Sequence, residues 1–222
     1  MHITLNNLEL INNEIKEIVI KKQLKITPEI IAVSKTFPLD KILPIIESGH
    51  VHFGENKVQE AEIKWLNFKN KNKNIKLHMV GKLQSNKAKK AVEIFDYIHS
   101  LDSYKLAEKI CYFEKQLNKK TKLFIQVNLS NEQQKSGISV NDLDSFYNYC
   151  LTDLSLNIIG LMCLPPINSN TEKYFKILKE ISLKLNIQDL SMGMSSDYIQ
   201  ATVCGSTFLR LGTIIFGSRN IS

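Results

Sequence analysis

Short apolar, β-rich runs alternate with amphipathic helical stretches from one end of this chain to the other, and that alternation constrains the fold more than any other feature. Strands are expected at 30–34 (IIAVS), 51–53 (VHF), 77–80 (LHMV) and 96–99 (DYIH). Four more are expected at 123–127 (LFIQV), 157–162 (NIIGLM), 189–191 (DLS) and 207–211 (TFLRL), the last with room to continue toward IIF at 214–216. Leu8, Ile11, Ile15 and Ile18 give a first helix beginning near Thr4. Val58, Ala61 and Trp65 share a second helical face. Leu106, Ile110, Phe113 and Leu117 share a third, behind an N-cap at Asp102. Leu143, Phe146, Tyr147 and Cys150 form another, as do Phe175, Leu178 and Leu185 after Thr171. The segment 40–48 is ambiguous, because Pro44 suits only a first helical turn.

Eight strands separated by helices are the order of parallel β/α units. The predicted fold is therefore α/β: a single TIM-type (β/α)8 barrel with an extra N-terminal helix, occupying 1–222 as one domain. An open doubly wound sheet is the competing architecture. Neither G-x-G-x-x-G nor G-x-x-x-x-G-K-[ST] occurs to anchor a nucleotide in it.

Composition narrows the function. At 43% hydrophobic and 23% charged the chain reads as an ordinary globular protein, with no run long enough to span a bilayer and no signal-peptide order in MHITLNNLEL. Cytoplasmic placement is expected. Cys111, Cys150, Cys163 and Cys204 are widely spaced and read as free thiols, and His50 and His52 lack a nearby third metal ligand. The net charge of +7 invites a nucleic-acid partner, but only Arg210 and Arg219 are arginines among the 29 basic residues. Phosphate reading favours arginine with stacking aromatics, so no nucleic-acid partner is expected.

In such a barrel, chemistry gathers where strands end. Lys35 follows IIAVS, where partial desolvation would favour a nucleophilic amine; a lysine merely leaving the barrel for solvent is the plain alternative. In LSMGMSSDY (190–198), Ser195 and Ser196 with nearby backbone N–H groups suit a phosphate, and Gly212-Thr213 would add donors; helix capping by serine is the alternative. Arg210, in a chain that uses lysine almost everywhere else, would supply a fixed, permanently charged fork; a chance arginine is the alternative. A pocket lysine, a phosphate cradle and an arginine together suggest an aldehyde-bearing phosphate cofactor, pyridoxal 5′-phosphate (PLP).

These residues lie within AVSKTFP (32–38), HFGENKVQE (52–60), GKLQSNK (81–87), KSG (135–137), GLM (160–162), LSMGMSSDY and GSTFLRLGTIIFGSR (205–219). In that order they resemble the YggS/PROSC-type family of PLP homeostasis proteins. The resemblance implies a PLP-binding barrel like the alanine racemase N-terminal domain, usually monomeric and not catalytic. It also implies a role in balancing intracellular PLP and other B6 vitamers, with PLP-dependent apoenzymes as conceivable recipients. Lys35 resembles the Schiff-base lysine and Asn56 a pocket residue on the ring side. Ser195, Ser196, Gly212 and Thr213 match the phosphate-holding segments, and Arg210 the arginine facing the pyridine nitrogen.

Two departures stand out. Lys82 replaces a histidine common in its motif, and SRNIS ends the sequence where many members carry a lysine-containing tail. The alternative function is a PLP-dependent, racemase-like enzyme. Racemisation needs an acid–base on each face of the carbanion. The added β-domain that supplies the second one in alanine racemase is not expected in this sequence. Lys135 is a further candidate, for an influence on release, against a plain solvated loop lysine.

Overall fold

The computed structural model describes residues 2–130, 136–166 and 169–218. Eight parallel strands close into a ring: β1 (Glu29–Val33), β2 (His52–Glu55), β3 (Lys76–Met79), β4 (Tyr97–Leu101), β5 (Lys122–Asn128), β7 (Ile158–Met162), β8 (Asp189–Ser191) and β9 (Phe208–Leu211). The ring is completed by β4 pairing with β5 and β9 with β1. A two-residue strand, β6 (Ile138–Ser139), adds to the end of β5 outside the ring. All eight expected barrel strands are present, so the barrel replaces the open-sheet alternative.

The strands are apolar on both faces because both are covered. Successive side chains alternate in direction. Thus Ile30 and Ala32 join the layer beneath the helices, whereas Ile31 and Val33 join the lumen cluster with Tyr97, Phe124, Met162 and Phe208.

Helices α1 (Ile3–Lys21), α2 (Leu39–Glu47), α3 (Val58–Lys71), α4 (Ala88–Ile94) and α5 (Tyr104–Leu117) are followed by α6 (Leu143–Asn148), α7 (Thr171–Lys184), α8 (Tyr198–Val203) and α9 (Thr213–Phe216). The extra helix α1 buries Leu8, Ile11 and Ile15 and packs on α2, α8 and α9. No helix among the described residues is long and apolar enough to cross a membrane.

Three local expectations need correction. Helix α2 runs through Pro44, because Ile42 and Ile45 on its inner face are fully buried. The carbonyl that loses its amide partner there belongs to exposed Asp40, within reach of water. The cap of α5 is Ser103, whose Oγ accepts from the Leu106 N–H, rather than Asp102. Residues 214–216 form the short helix α9 instead of extending the last strand, since the chain turns over the barrel rim at Gly212.

Candidate functional site

A cavity of about 680 Å³ opens at the C-terminal ends of the strands. Most of the segments lining it follow a barrel strand directly: Lys35 after β1, Asn56 after β2, Gly81 and Lys82 after β3, Leu164 and Pro165 after β7. Ser195 and Ser196 follow β8, and Gly212 and Thr213 follow β9. Arg210, on β9 itself, also lines it. All seven residues singled out from the sequence therefore meet in one cavity, although they are spread from 35 to 213. Lys135 and Arg219 lie outside the described residues.

Lys35 is half-buried at the wall, and its backbone is held from the side. Thr36 has φ 69°, a left-handed conformation uncommon for a β-branched residue, so the surrounding structure must impose it. The Glu60 carboxylate accepts from the Thr36 N–H. Lys64 Nζ reaches the Ser34 carbonyl at 2.8 Å, Glu55 Oε1 at 2.8 Å and Glu60 Oε1 at 3.0 Å. Glu55 is fully buried and also accepts from Ser34 Oγ at 2.8 Å and Trp65 Nε1 at 2.9 Å. Burial raises its pKa, and the Lys64 charge works against that rise.

The sequence pattern did not reveal this clamp: of HFGENKVQE only Asn56 stood out as a pocket residue. A signal was available. Glu60 and Lys64 sit four apart on the first turns of α3, and a glutamate at the end of a barrel strand covered on both faces must find donors.

Gly81 lets the β2 and β3 loops touch: a Cβ there would lie 2.4 Å from the Asn56 carbonyl oxygen. On the opposite wall, Ser195 Oγ accepts from the N–H groups of Gly212 at 3.4 Å and Ile214 at 3.3 Å, joining the loops after β8 and β9. Ser196 and Thr213 are exposed to the cavity mouth. The turn beneath them needs Gly193, at φ +91°, where a Cβ would sit 2.5 Å from that of Ala201. It also needs Asp197, whose Oδ1 accepts from the Met194 N–H at 2.6 Å.

Arg210 is 5% exposed. Its Nη1 donates to Ser191 Oγ at 2.6 Å and its Nη2 to the Cys163 carbonyl at 3.0 Å. Among the described residues no carboxylate pairs with it within 4.0 Å. Burial lowers its pKa, and Cys163 and Asp197 partly offset this.

The cavity therefore offers an amine on one wall, hydroxyls and backbone donors on another, and a buried guanidinium. Those groups fit a small aldehyde carrying a phosphate and a basic ring atom.

The family described as "Alanine racemase, N-terminal domain" matches residues 7–220. The pyridoxal phosphate homeostasis protein of Haemophilus influenzae is 35% identical over 206 residues, covering 88% of this chain and 87% of that one. That of Escherichia coli K12 is 34% identical over 202 residues, with 87% and 86% covered. Among solved structures, PipY of Synechococcus elongatus with PLP bound is 36% identical, with a TM-score of 0.80, covering 91% of this chain and all of that one. Alanine racemase of Clostridium difficile, at 14% identity and a TM-score of 0.70, shares the fold over 97% of this chain but only 58% of its own. Matched at this level over nearly its whole length, the chain belongs to the pyridoxal phosphate homeostasis protein family.

Proposed function

We propose that this protein binds PLP reversibly and serves in the homeostasis of PLP and other B6 vitamers, rather than catalysing a reaction with it. The observation that carries this is the convergence of Lys35, Ser195, Ser196, Thr213 and Arg210 on one cavity at the strand ends. PLP supplies an aldehyde that an amine can capture, and a pyridine ring that can act as an electron sink.

Lys35 Nζ is the amine that captures the aldehyde, as a Schiff base. The clamp of Glu55, Glu60 and Lys64 on the neighbouring backbone holds its Cα in place. Ser195, Ser196 and Thr213, with the backbone N–H groups around Gly212, bind the phosphate, and Asn56 borders the ring. Arg210 faces the ring nitrogen. A guanidinium has donors only and keeps its proton, so it leaves that nitrogen neutral and the electron sink weak. A monomeric, cytoplasmic chain acting as one domain over 1–222, with PLP-dependent apoenzymes as recipients, completes the proposal.

Absorbance of purified protein with PLP, before and after borohydride, followed by peptide mapping, tests it. The expected result is a permanent pyridoxyl label on Lys35; a label on Lys82 with Lys35 unmodified overturns the assignment. Nitrogen-15 NMR of labelled PLP should find an unprotonated ring nitrogen. A protonated one, or rapid loss of an amino-acid α-proton, would restore a racemase-like enzyme.

A further inference from the structure

The barrel lumen contains a chain of polar contacts that the cofactor site does not itself use. Ser191, His99, His78 and His52 come from β8, β4, β3 and β2, and each touches the next. Ser191 Oγ, which accepts from Arg210, lies 2.8 Å from His99 Nδ1. His99 Nε2 is 2.9 Å from His78 Nδ1, and His78 Nε2 is 2.8 Å from His52 Nδ1. Ser191, His99 and His78 are fully buried, whereas His52 is half-buried at the start of β2, the end of the lumen away from the cavity. Stacking fixes the rings: His78 lies on Tyr97 and His99 on Phe124, both with centroids 4.2 Å apart.

The direction of these bonds follows from Arg210. A guanidinium only donates, so Ser191 Oγ accepts from it and has its own proton left for His99 Nδ1. A neutral imidazole carries one N–H. With Nδ1 accepting, the His99 proton sits on Nε2 and points at His78 Nδ1, and the same constraint passes on to His52. The reverse direction would place two donors on Ser191 Oγ. Its hydroxyl proton would then be buried without an acceptor, since no other partner occurs among the described residues. Burial keeps both inner rings neutral. Desolvation holds His99 well below its usual pKa, with the Arg210 charge adding to it, and holds His78 down together with the neighbouring imidazoles. All three rings therefore turn a lone pair toward the guanidinium.

We propose that Ser191, His99, His78 and His52 form a one-directional hydrogen-bond column that orients and solvates the buried Arg210 charge in place of a carboxylate. A carboxylate there would cancel the charge. Neutral aligned dipoles support it and leave a whole positive charge facing the cavity. That last consequence rests on the PLP-binding proposal, where such a charge keeps the ring nitrogen unprotonated. The four residues are positioning residues, acting through Arg210.

The test is long-range proton–nitrogen NMR of histidine-labelled protein near neutral pH, without PLP. His52, His78 and His99 are expected as neutral rings protonated at Nε2. An Nδ1-protonated ring or an imidazolium at His78 or His99 overturns the column. Ser191→Ala should return His99 to a mixture of tautomers, and Ser191→Thr, which keeps the hydroxyl, should preserve the wild-type state; an unchanged His99 in Ser191→Ala also overturns it. The unsubstituted protein decides the matter even if a variant fails to fold. Neither measurement needs the cofactor, so failure to bind PLP would sink the proposed function and leave this test standing. If PLP does bind, Ser191→Ala should weaken PLP and pyridoxal alike by about fivefold, because the loss lies at the ring end.

Discussion

The two sides of the barrel wall are built of different material. Between strands and helices the layer is almost wholly apolar, with Trp65, Phe146, Phe175, Ile42 and Ile45 fully buried. Of the few polar side chains buried there, Glu55 is held by Ser34, Lys64 and Trp65 and serves the loop carrying Lys35. Inside the wall, among the described residues, a cluster of six buried apolar side chains adjoins three histidines, a serine and an arginine. Apolar contact is non-directional and holds the outer layer through area alone. The lumen is held through the direction of its hydrogen bonds, and it ends in the cavity. Stability and site chemistry are thus separated by one strand thickness.

The sharpest way to break that separation is to remove the amine. Lys35→Ala should abolish borohydride-fixed labelling completely while urea unfolding stays within about 0.5 kcal/mol of the original. A large loss of stability would mean that the site side also holds the fold.

On the outer side, Phe175→Ala deletes a fully buried ring and should cost about 3–5 kcal/mol in urea unfolding, with PLP affinity of the folded protein little changed. A matching drop in affinity would show that the two sides are coupled.

Acid should act on the histidine-bearing side. Burial lowers the pKa of His50, whose Nε2 lies 2.9 Å from the His52 carbonyl, to about 4, and lowers those of His52, His78 and His99 as well. Because the folded values lie below the unfolded one, the unfolded chain takes up protons first as pH falls. The stability from neutral burial is therefore complete above about pH 6.5 and is lost toward pH 4, about 3 kcal/mol for His50 alone. Urea titrations across that window check it. A flat profile would mean that these rings take up protons in the fold as readily as in the unfolded chain.

The smallest effect belongs to the rim. Ser195→Ala, Ser196→Ala or Thr213→Val should each remove about 1.5–3 kcal/mol of charge-assisted hydrogen bonding. Calorimetry should find PLP bound about tenfold more weakly and pyridoxal nearly unchanged. Equal losses for both ligands would contradict the phosphate assignment.

Much of the fold was legible because it is written locally. Doubly buried parallel strands are short apolar runs, and IIAVS or LFIQV cannot be mistaken for amphipathic surface. Local rules failed where packing outweighed them, as at Pro44, or where the chain had to leave the barrel, as at 214–216. The site residues were legible for a related reason: a barrel places its chemistry at strand ends, and strand ends can be read once strands are found.

The supports of those residues were legible only in part. Glu60 and Lys64 lie on a helix that reads as ordinary solvated surface until its first turns are laid against the loop after β1. His50 and His52 drew attention by proximity in sequence, yet it is His52, His78 and His99 that join, across 26 and 21 residues, and Ser191 lies a further 92 away. The sequence by itself determined the strands, their order and the groups at their ends, because apolar periodicity and strand termini are local properties. Only the tertiary structure decided which side chains face each other across the closed lumen, because closure sets those neighbours through strand stagger, which no local pattern of residues encodes.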